Sequence, residues 1–165
     1  MSETKLTQFT QQDIDAFRPA MKIGLLASVN PAGEPHITLF SSLMAASEKQ
    51  VCIGKFVEGI SFDFFQDNPK IGWMIMSLNK ELWRGYATYS HSAKSGPEFD
   101  FYNNVPMFRY NAYFGIHTVY YFDLVAQTGK SLLPMNKVIG AAIKTTLNKP
   151  FLSVEKKPSV LNNWT

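Results

Sequence analysis

Lys55 and Ser61 are the two residues whose types and spacing most clearly suggest chemistry. Lys55 ends an apolar, strand-like run, and Ser61 precedes a segment with the pattern of a helix. A lysine ammonium group and the free N–H groups of a helix start both favour a phosphate dianion. Ser41 and Ser42 follow another strand-like run and add two hydroxyl donors. We therefore predict a phosphate site at this junction; the alternative is a solvated lysine and a serine that only caps a helix.

Three short strands lead to the junction. Residues 23–29 alternate with the period of a half-buried strand, and residues 36–40 do the same. Between them, residues 30–33 read Asn-Pro-Ala-Gly, which predicts a tight turn because the proline fixes one backbone angle and the glycine accepts a positive φ. The third strand is predicted over residues 51–56, after a polar turn at residues 47–50. A hairpin followed by a third strand is the expected result.

The rest of the chain continues this mainly β pattern. The further predicted elements are a short helix capped by Thr10 and ended before Pro19, a helix from Ser61 to Asn68-Pro69, a hairpin of residues 71–77 and 82–89, a helix from 97 to 102, a long strand over 113–127 that bends near Gly115, and a helix from Asn136. Antiparallel strands joined by short turns favour a closed or nearly closed barrel over a parallel α/β sheet. The predicted fold is therefore a six-stranded antiparallel β-barrel with peripheral helices.

Composition limits the classes of function. A chain of 165 residues with 45% hydrophobic residues is expected to form one globular domain over 1–165, with its core in 20–127 and a C-terminal helix and tail in 128–165. The net charge of +3 and the lack of a basic run argue against nucleic acid. The single cysteine, Cys52, excludes an internal disulfide and is predicted to be buried filler. Without a signal peptide or a long apolar run, we expect a cytoplasmic protein.

The order of the elements resembles the FMN-binding split barrels of the pyridoxamine 5'-phosphate oxidase-like superfamily. The resemblance covers residues 20–127 and rests on the Asn-Pro-Ala-Gly turn, the Pro-His-Ile-Thr strand at 35–38, the helix near Ser61 and the Asn68-Pro69 pair that ends it. It implies a split barrel of the FMN-binding type and a homodimer with FMN at the subunit interface. It also implies that strand 2, the end of strand 3 and the following helix hold the phosphate.

The resemblance also implies which residues bind the cofactor. An isoalloxazine ring needs a flat, mostly apolar slot, which Trp73, Trp83 or Phe108 could cover, and Arg84 or Arg109 could stabilise the negative charge of a reduced flavin. Because Trp83 and Arg84 are adjacent in a strand, only one of them can face the site. Each of these side chains could instead serve packing or solubility. The expected cofactor residues are Thr38, Phe40, Ser41, Ser42, Lys55, Ser61, Trp73, Trp83 and Arg84.

The sequence departs from the true oxidase around the phosphate. The oxidase has an arginine–lysine pair near strand 2 and a Ser-Arg-Lys run before the helix, whereas this chain has Phe-Ser-Ser-Leu at 40–43 and Glu-Gly-Ile-Ser at 58–61. Glu58 and Asp63 would repel a phosphate, and the C-terminal arginine motif is absent. These departures argue against oxidation of pyridoxamine phosphate. From the resemblance we predict an FMN-dependent oxidoreductase that transfers a hydride or electrons to an unidentified small substrate, and we assign it no catalytic residue.

Three alternatives to a flavin-dependent oxidoreductase remain. The first is a flavin carrier or sensor without turnover, the second is a haem-binding or haem-degrading split barrel with His117 as axial ligand, and the third is an interaction domain with an empty site. A deazaflavin could replace FMN. A metal site is not predicted, because His36, His91 and His117 are widely separated and have no acidic residue at ligand spacing. The excess of aromatic residues over 99–122 is a further reason to expect a dimer.

Overall fold

The computed structural model describes residues 5–56, 61–111 and 115–132, which all fall within one compact unit that extends to Leu133. The helix predicted from Asn136 and the tail therefore lie outside the described residues. The helices are α1 Gln11–Phe17, α2 Ser61–Asp67, α3 Pro97–Asn104 and α4 Pro106–Asn111. The strands are β1 Lys22–Val29, β2 Pro35–Leu39, β3 Met44–Ser47, β4 Gln50–Lys55, β5 Lys70–Ser77, β6 Glu81–Ala93, β7 Thr118–Gln127 and β8 Ser131–Leu132.

The strands form one antiparallel sheet that curls into a barrel. Their order is β2-β1-β5-β6-β7-β4-β3, with β8 paired to β6. At the usual strand spacing, β2 and β3 would lie about 29 Å apart in a flat sheet. Only residues 40–43 join these two strands, and such a connection spans at most about 18 Å. The sheet must therefore bring its two ends together, and because no pairing joins β2 to β3 in the described part of the chain, the barrel is split at this seam.

The mainly β split barrel confirms the predicted fold class, with one correction to the strands. The path through the sheet has seven strands instead of six, because β3, which begins at Met44 after β2 ends at Leu39, was not predicted as a strand. Between them the chain turns, with the Leu43 N–H donating to the Phe40 carbonyl at 3.1 Å. The Phe40 N–H also donates to the Gly24 carbonyl at 2.8 Å. The break lets the chain pass from pairing with β1 to pairing with β4.

The predicted helices and hairpins are largely confirmed. The turn at residues 30–33 is present, with Gly33 at a φ of 85° and its N–H donating to Asn30. The helix predicted at Thr10 begins with a capping box formed by Thr10 and Asp13. The hairpin of β5 and β6 and the helix at 97 are also as predicted, although β6 extends to Ala93. The predicted strand over 113–127 is shorter than expected and begins at Thr118.

Aromatic side chains fill the interior from two directions. From α1, the ring of Phe17 lies edge-on to Trp83 at 5.1 Å, and the Trp83 indole N–H donates to the carboxylate of Asp13 at 2.8 Å. From α2, Phe65 packs edge-on against Phe122 of β7 at 5.0 Å. The two helices thus cover different parts of the barrel interior. No helix of the described residues is both long and apolar enough to cross a membrane.

Asp13 gives a test of how α1 is fixed to the barrel. One carboxylate oxygen accepts from Trp83, and the other accepts from the backbone N–H and the hydroxyl of Thr10 at 2.9 and 2.8 Å. Asp13→Asn leaves one acceptor oxygen for both sets of donors, so we expect the free energy of unfolding to fall by about 1–2 kcal/mol. Urea unfolding measures it. The control Asp15→Asn changes an exposed carboxylate on the same helix and should alter stability by less than about 0.5 kcal/mol; equal effects of the two would contradict this role for Asp13.

Candidate functional site

Lys55 lies beside the first turn of α2, as the sequence suggested. Lys55 is the last residue of β4, and α2 begins at Ser61. The Lys55 ammonium nitrogen lies 4.9 Å from the centroid of the Phe62 ring, within the range of a cation–π contact. The Phe40 ring packs edge-on against the same Phe62 at 5.8 Å. The structure therefore brings Lys55 and Phe40 together on one aromatic ring of α2.

One face of β2 is turned towards α2. The hydroxyl of Thr38 lies 3.0 Å from Nε2 of His36, and the His36 ring lies edge-on to Phe64 of α2 at 5.2 Å. Thr38, which was predicted to bind the cofactor, is thus on the same side of β2 as Phe40. Residues 36, 38 and 40 alternate with Ile37 and Leu39, which lie on the opposite face.

The two serines of the 40–43 turn have different environments. Ser41 is half-buried, whereas Ser42 is fully buried. The Ser42 hydroxyl donates to the carbonyl of Gly54 at 3.1 Å and accepts from the Gly54 N–H at 3.2 Å. Gly54 directly precedes Lys55 in β4. The Ser42 side chain therefore joins the turn to the end of β4, and Ser41 is the serine nearer the surface.

The tryptophans predicted to cover a flavin lie in the interior. Trp83 is hydrogen-bonded to Asp13, and the Trp73 ring packs against Phe9 and Phe17 at 5.6 and 6.3 Å. Phe108 is also buried, with its ring 5.5 Å from that of Phe56. These three side chains therefore pack in the core, which was the alternative considered from the sequence. Arg84, on the other side of β6 from Trp83, is exposed and borders a groove.

The groove lies on the outer face of β1, β2, β5 and β6, which we call the open face. Its volume is about 440 Å³, within the range of about 300–1,000 Å³ usual for small-molecule and cofactor sites. Ala27 and Gly72 are cross-strand neighbours on this face, so two small residues form a flat floor. The lining residues are Leu25, Ala27, Ile37, Gly72, Trp73, Met74, Arg84, Gly85, Tyr86 and Thr128. Arg84 is the one charged residue among them.

The open face carries large apolar side chains that remain in contact with solvent. Ile37, Leu39 and Tyr86 are 66%, 64% and 64% exposed. They lie in register with the groove, since Ile37 is opposite Ala27 and Tyr86 is opposite Gly72. A group of exposed apolar residues of this kind marks a surface for a ligand or another protein. In contrast, Tyr102, Phe108 and Phe122 of the aromatic-rich 99–122 segment are buried, so their number reflects packing of this chain.

Sequence reasoning missed most of the groove, although β1 carried a signal. The alternating set of residues 23, 25, 27 and 29 is on the half-exposed open face, and Leu26 and Ser28 of the other set are buried. A strand that is apolar on both faces is typical of a sheet with two covered sides. The sequence IGLLASV at 23–29 is therefore an indication of a second surface to be covered.

The titratable groups near the site are divided between the interior and the surface. Burial raises the pKa of the Cys52 thiol to about 12, so Cys52 stays protonated, as expected of a buried filler residue. His117 is exposed next to the end of β4, and its backbone N–H donates to the Lys55 carbonyl at 3.0 Å. His91 stacks on Tyr121 at 4.5 Å. Within the described ranges, no three histidine, cysteine or acidic side chains are grouped as a metal site would require.

Comparisons with solved structures find the same fold. An FMN-binding protein from Syntrophomonas wolfei subsp. wolfei matches with a TM-score of 0.59 and 16% identity, covering 74% of this chain and 86% of that chain. The HupZ protein of Group A Streptococcus matches with a TM-score of 0.54 and 16% identity, covering 72% and 91%. A candidate pyridoxamine 5'-phosphate oxidase from Lactobacillus delbrueckii matches with a TM-score of 0.53 and 13% identity, covering 74% and 97%.

These likenesses define the fold of the chain. No protein-family model matches the sequence, and no curated protein matches it. At identities of 13–16% the agreement with solved structures concerns the backbone arrangement alone. The chain has the fold of FMN-binding, pyridoxamine 5'-phosphate oxidase-like split barrels, as the order of its elements predicted.

Proposed function

We propose that this protein binds FMN and acts as a flavin-dependent oxidoreductase on a small substrate. The observation that carries the proposal is the flat apolar groove with one cationic side chain, Arg84, on the open face of the barrel. A flavin ring is flat and mostly apolar and has polar atoms along one edge, which fits a floor of Ala27 and Gly72 beside Arg84. The FMN-binding protein from S. wolfei with the same fold supports the choice of ligand.

The phosphate end of FMN is proposed to lie at Lys55. Lys55 places a cation at the end of β4, and Ser41 is half-buried in the neighbouring turn. The groove and Lys55 are on the two sides of β2, which pairs with β1 alone among the described strands. A ligand that reaches both parts would therefore cross the open edge of β2, next to Thr38 and Phe40. The remaining residues of the proposed phosphate site are Ser61, at the start of α2, and Ser42. Ser42 contributes indirectly, by joining the turn to the end of β4.

We further propose a homodimer formed through the open face. In a twofold interface the same patch meets itself, so an apolar patch is self-complementary whereas a charged patch is not. Ile37, Leu39 and Tyr86 supply such a patch, and Arg84 is the one charge among the groove residues. A second copy on this face would cover the groove and exclude water from a ring held in it.

In the proposed reaction, bound FMN supplies hydride or electron transfer. The chain's own residues would bind and orient the ring, and the Arg84 guanidinium would stabilise the negative charge that a reduced flavin carries. The apolar walls formed by Leu25, Met74 and Tyr86 lower the local dielectric, which strengthens this charge interaction. Reduction of the bound flavin by a nicotinamide cofactor would favour the enzyme, and normal flavin content without reduction would favour a carrier or sensor.

Filling the groove at Gly72 tests the ring site. A Cβ at Gly72 would meet only the Cβ of Ala27, at 3.7 Å, which is ordinary van der Waals contact. Gly72→Leu should therefore keep the fold, with an unchanged or higher melting temperature because glycine weakens a strand. We expect its affinity for FMN to fall at least about tenfold, because the leucine occupies the floor. Titration of FMN fluorescence measures the affinity.

The control is Gly33→Ala, which changes a glycine in the β1–β2 turn away from the groove. Its positive φ makes the alanine mildly destabilising, but nothing lies within 4 Å of the added Cβ. FMN affinity should therefore be unchanged. A wild-type protein that is colourless as purified and takes up no added FMN would refute the flavin proposal. Wild-type affinity in a folded Gly72→Leu variant would place the ring elsewhere.

A further inference from the structure

The buried hydroxyl of Tyr102 lies at the point where the 40–43 turn meets β4. Tyr102 belongs to α3 and is 1% exposed. Its hydroxyl donates to the carbonyl of Ser42 at 2.5 Å and lies 3.3 Å from the sulfur of Cys52. A helix outside the sheet is thus bonded to the backbone of a turn that belongs to the proposed flavin site.

The bond occurs where regular strand pairing ends. Met44 of β3 is opposite Cys52 of β4, so two further residues along this register place Ser42 opposite Gly54. The backbone has already turned at Ser42, and the serine hydroxyl makes the two bonds to Gly54 in place of backbone groups. Ser42 therefore uses its side chain for Gly54, and its carbonyl is bonded to Tyr102. Loss of the Tyr102 hydroxyl would leave that buried carbonyl without this donor.

A purely packing role would not need the hydroxyl. The Tyr102 ring packs edge-on against Phe108 at 5.5 Å, a contact that a phenylalanine would make equally well. Burying a phenolic hydroxyl has a desolvation cost that phenylalanine avoids. Desolvation also raises the pKa of Tyr102 well above its usual value, so the hydroxyl keeps its proton and remains a donor. The Tyr102 hydroxyl therefore serves a specific acceptor, which is the Ser42 carbonyl in the turn.

We propose that Tyr102 is a positioning residue for the flavin site, which fixes the 40–43 turn against the end of β4. Phe40 and Ser41 lie on one side of this connection, and Lys55 directly follows Gly54 on the other. The Tyr102 hydroxyl thus sets the distance between Phe40 and Ser41 on the turn and the ammonium group of Lys55 at the end of β4. The inference rests on the proposed function. It gives the buried Ser42 a role in the site, because Ser42 is the residue through which Tyr102 holds the turn.

Tyr102→Phe tests the proposal, with Tyr121→Phe as its matched control. Tyr121 is also buried, and its hydroxyl donates to Glu98 of α3 at 3.0 Å, but it is not bonded to the turn. Each variant loses one hydroxyl hydrogen bond that involves α3, and Tyr102→Phe should lose more stability because it leaves the buried Ser42 carbonyl without this donor. We expect Tyr102→Phe to weaken FMN binding about tenfold and Tyr121→Phe to change it less than twofold.

A second measurement does not depend on flavin. Amide hydrogen exchange of the protein without added FMN should show faster exchange at Gly54 in Tyr102→Phe than in Tyr121→Phe, because the Gly54 N–H donates to the Ser42 hydroxyl. Equal exchange at Gly54 in the two variants, or equal FMN affinity, would overturn the role of Tyr102. If the wild-type protein binds no FMN, the proposed function is wrong, and the exchange result still decides whether Tyr102 holds the turn.

Discussion

Ile37→Glu is expected to convert the proposed dimer to a monomer and to remove most of the proposed flavin binding. Ile37 is 66% exposed in the single chain, borders the groove and lies on the open face between Ala27 and the edge of β2. In a twofold dimer the substitution would place two carboxylates in one apolar interface. Burying an unpaired charge costs several kcal/mol per ion, so the dimer dissociation constant should rise at least about a hundredfold.

Light scattering after size-exclusion chromatography at micromolar concentration measures this change. The fold of the monomer should persist, because Ile37 is exposed and its substitution leaves the buried core unchanged. The control is Met107→Glu, at an exposed position of α4 in the aromatic-rich segment that suggested a dimer from the sequence. Met107→Glu should remain a dimer. Dissociation by Met107→Glu but not by Ile37→Glu would move the interface to α4, and a monomeric wild-type protein would refute the dimer.

Lys55→Met is expected to weaken FMN binding about 10- to 150-fold, with little change in the binding of riboflavin. Methionine keeps an apolar stem against the Phe62 ring while removing the ammonium group, which lies 4.9 Å from that ring. A charge-assisted contact with a phosphate contributes about 1.5–3 kcal/mol, which corresponds to this range. Riboflavin has the same ring but no phosphate, so the ratio of the two affinities isolates the contribution of Lys55.

Fluorescence titration with both flavins provides the measurement, and Lys70→Met is the control. Lys70 is an exposed lysine at the start of β5, so its substitution makes the same change in net charge away from Lys55. The FMN-to-riboflavin affinity ratio should be the same for Lys70→Met as for the wild type. An equal loss for both flavins in Lys55→Met would mean that Lys55 supports the ring or the fold, and the phosphate site would then be wrong.

Features that depend on neighbouring residues could be predicted from the sequence. The turn at residues 30–33 forms because Gly33 accepts a positive φ, and the start of α1 forms because Thr10 and Asp13 satisfy each other's backbone groups. Both interactions join residues at most four positions apart. The resulting order of hairpins and helices was sufficient to predict a β-barrel of the FMN-binding split-barrel type.

Features that depend on distant residues could not be predicted in this way. The break at residues 40–43 reflects a hydrogen bond from Phe40 to Gly24 and the change of partner from β1 to β4. Alternation places Trp83 and Arg84 on opposite faces, but it does not tell which face is the interior; the bond from Trp83 to Asp13 decides it. Likewise, nothing near Ser42 in the sequence indicates that its partners are Gly54 and Tyr102.

The seam between β2 and β3 makes the same few residues responsible for two properties. The 40–43 turn connects the two ends of the sheet, and it also carries Phe40 and Ser41 of the proposed site. Mutations that alter ligand preference at this turn will therefore alter folding as well, which narrows the routes by which evolution or protein engineering can change specificity. New specificities are easier to reach from the groove floor at Gly72, where an added Cβ makes only an ordinary van der Waals contact and the connection between the two ends of the sheet is not involved.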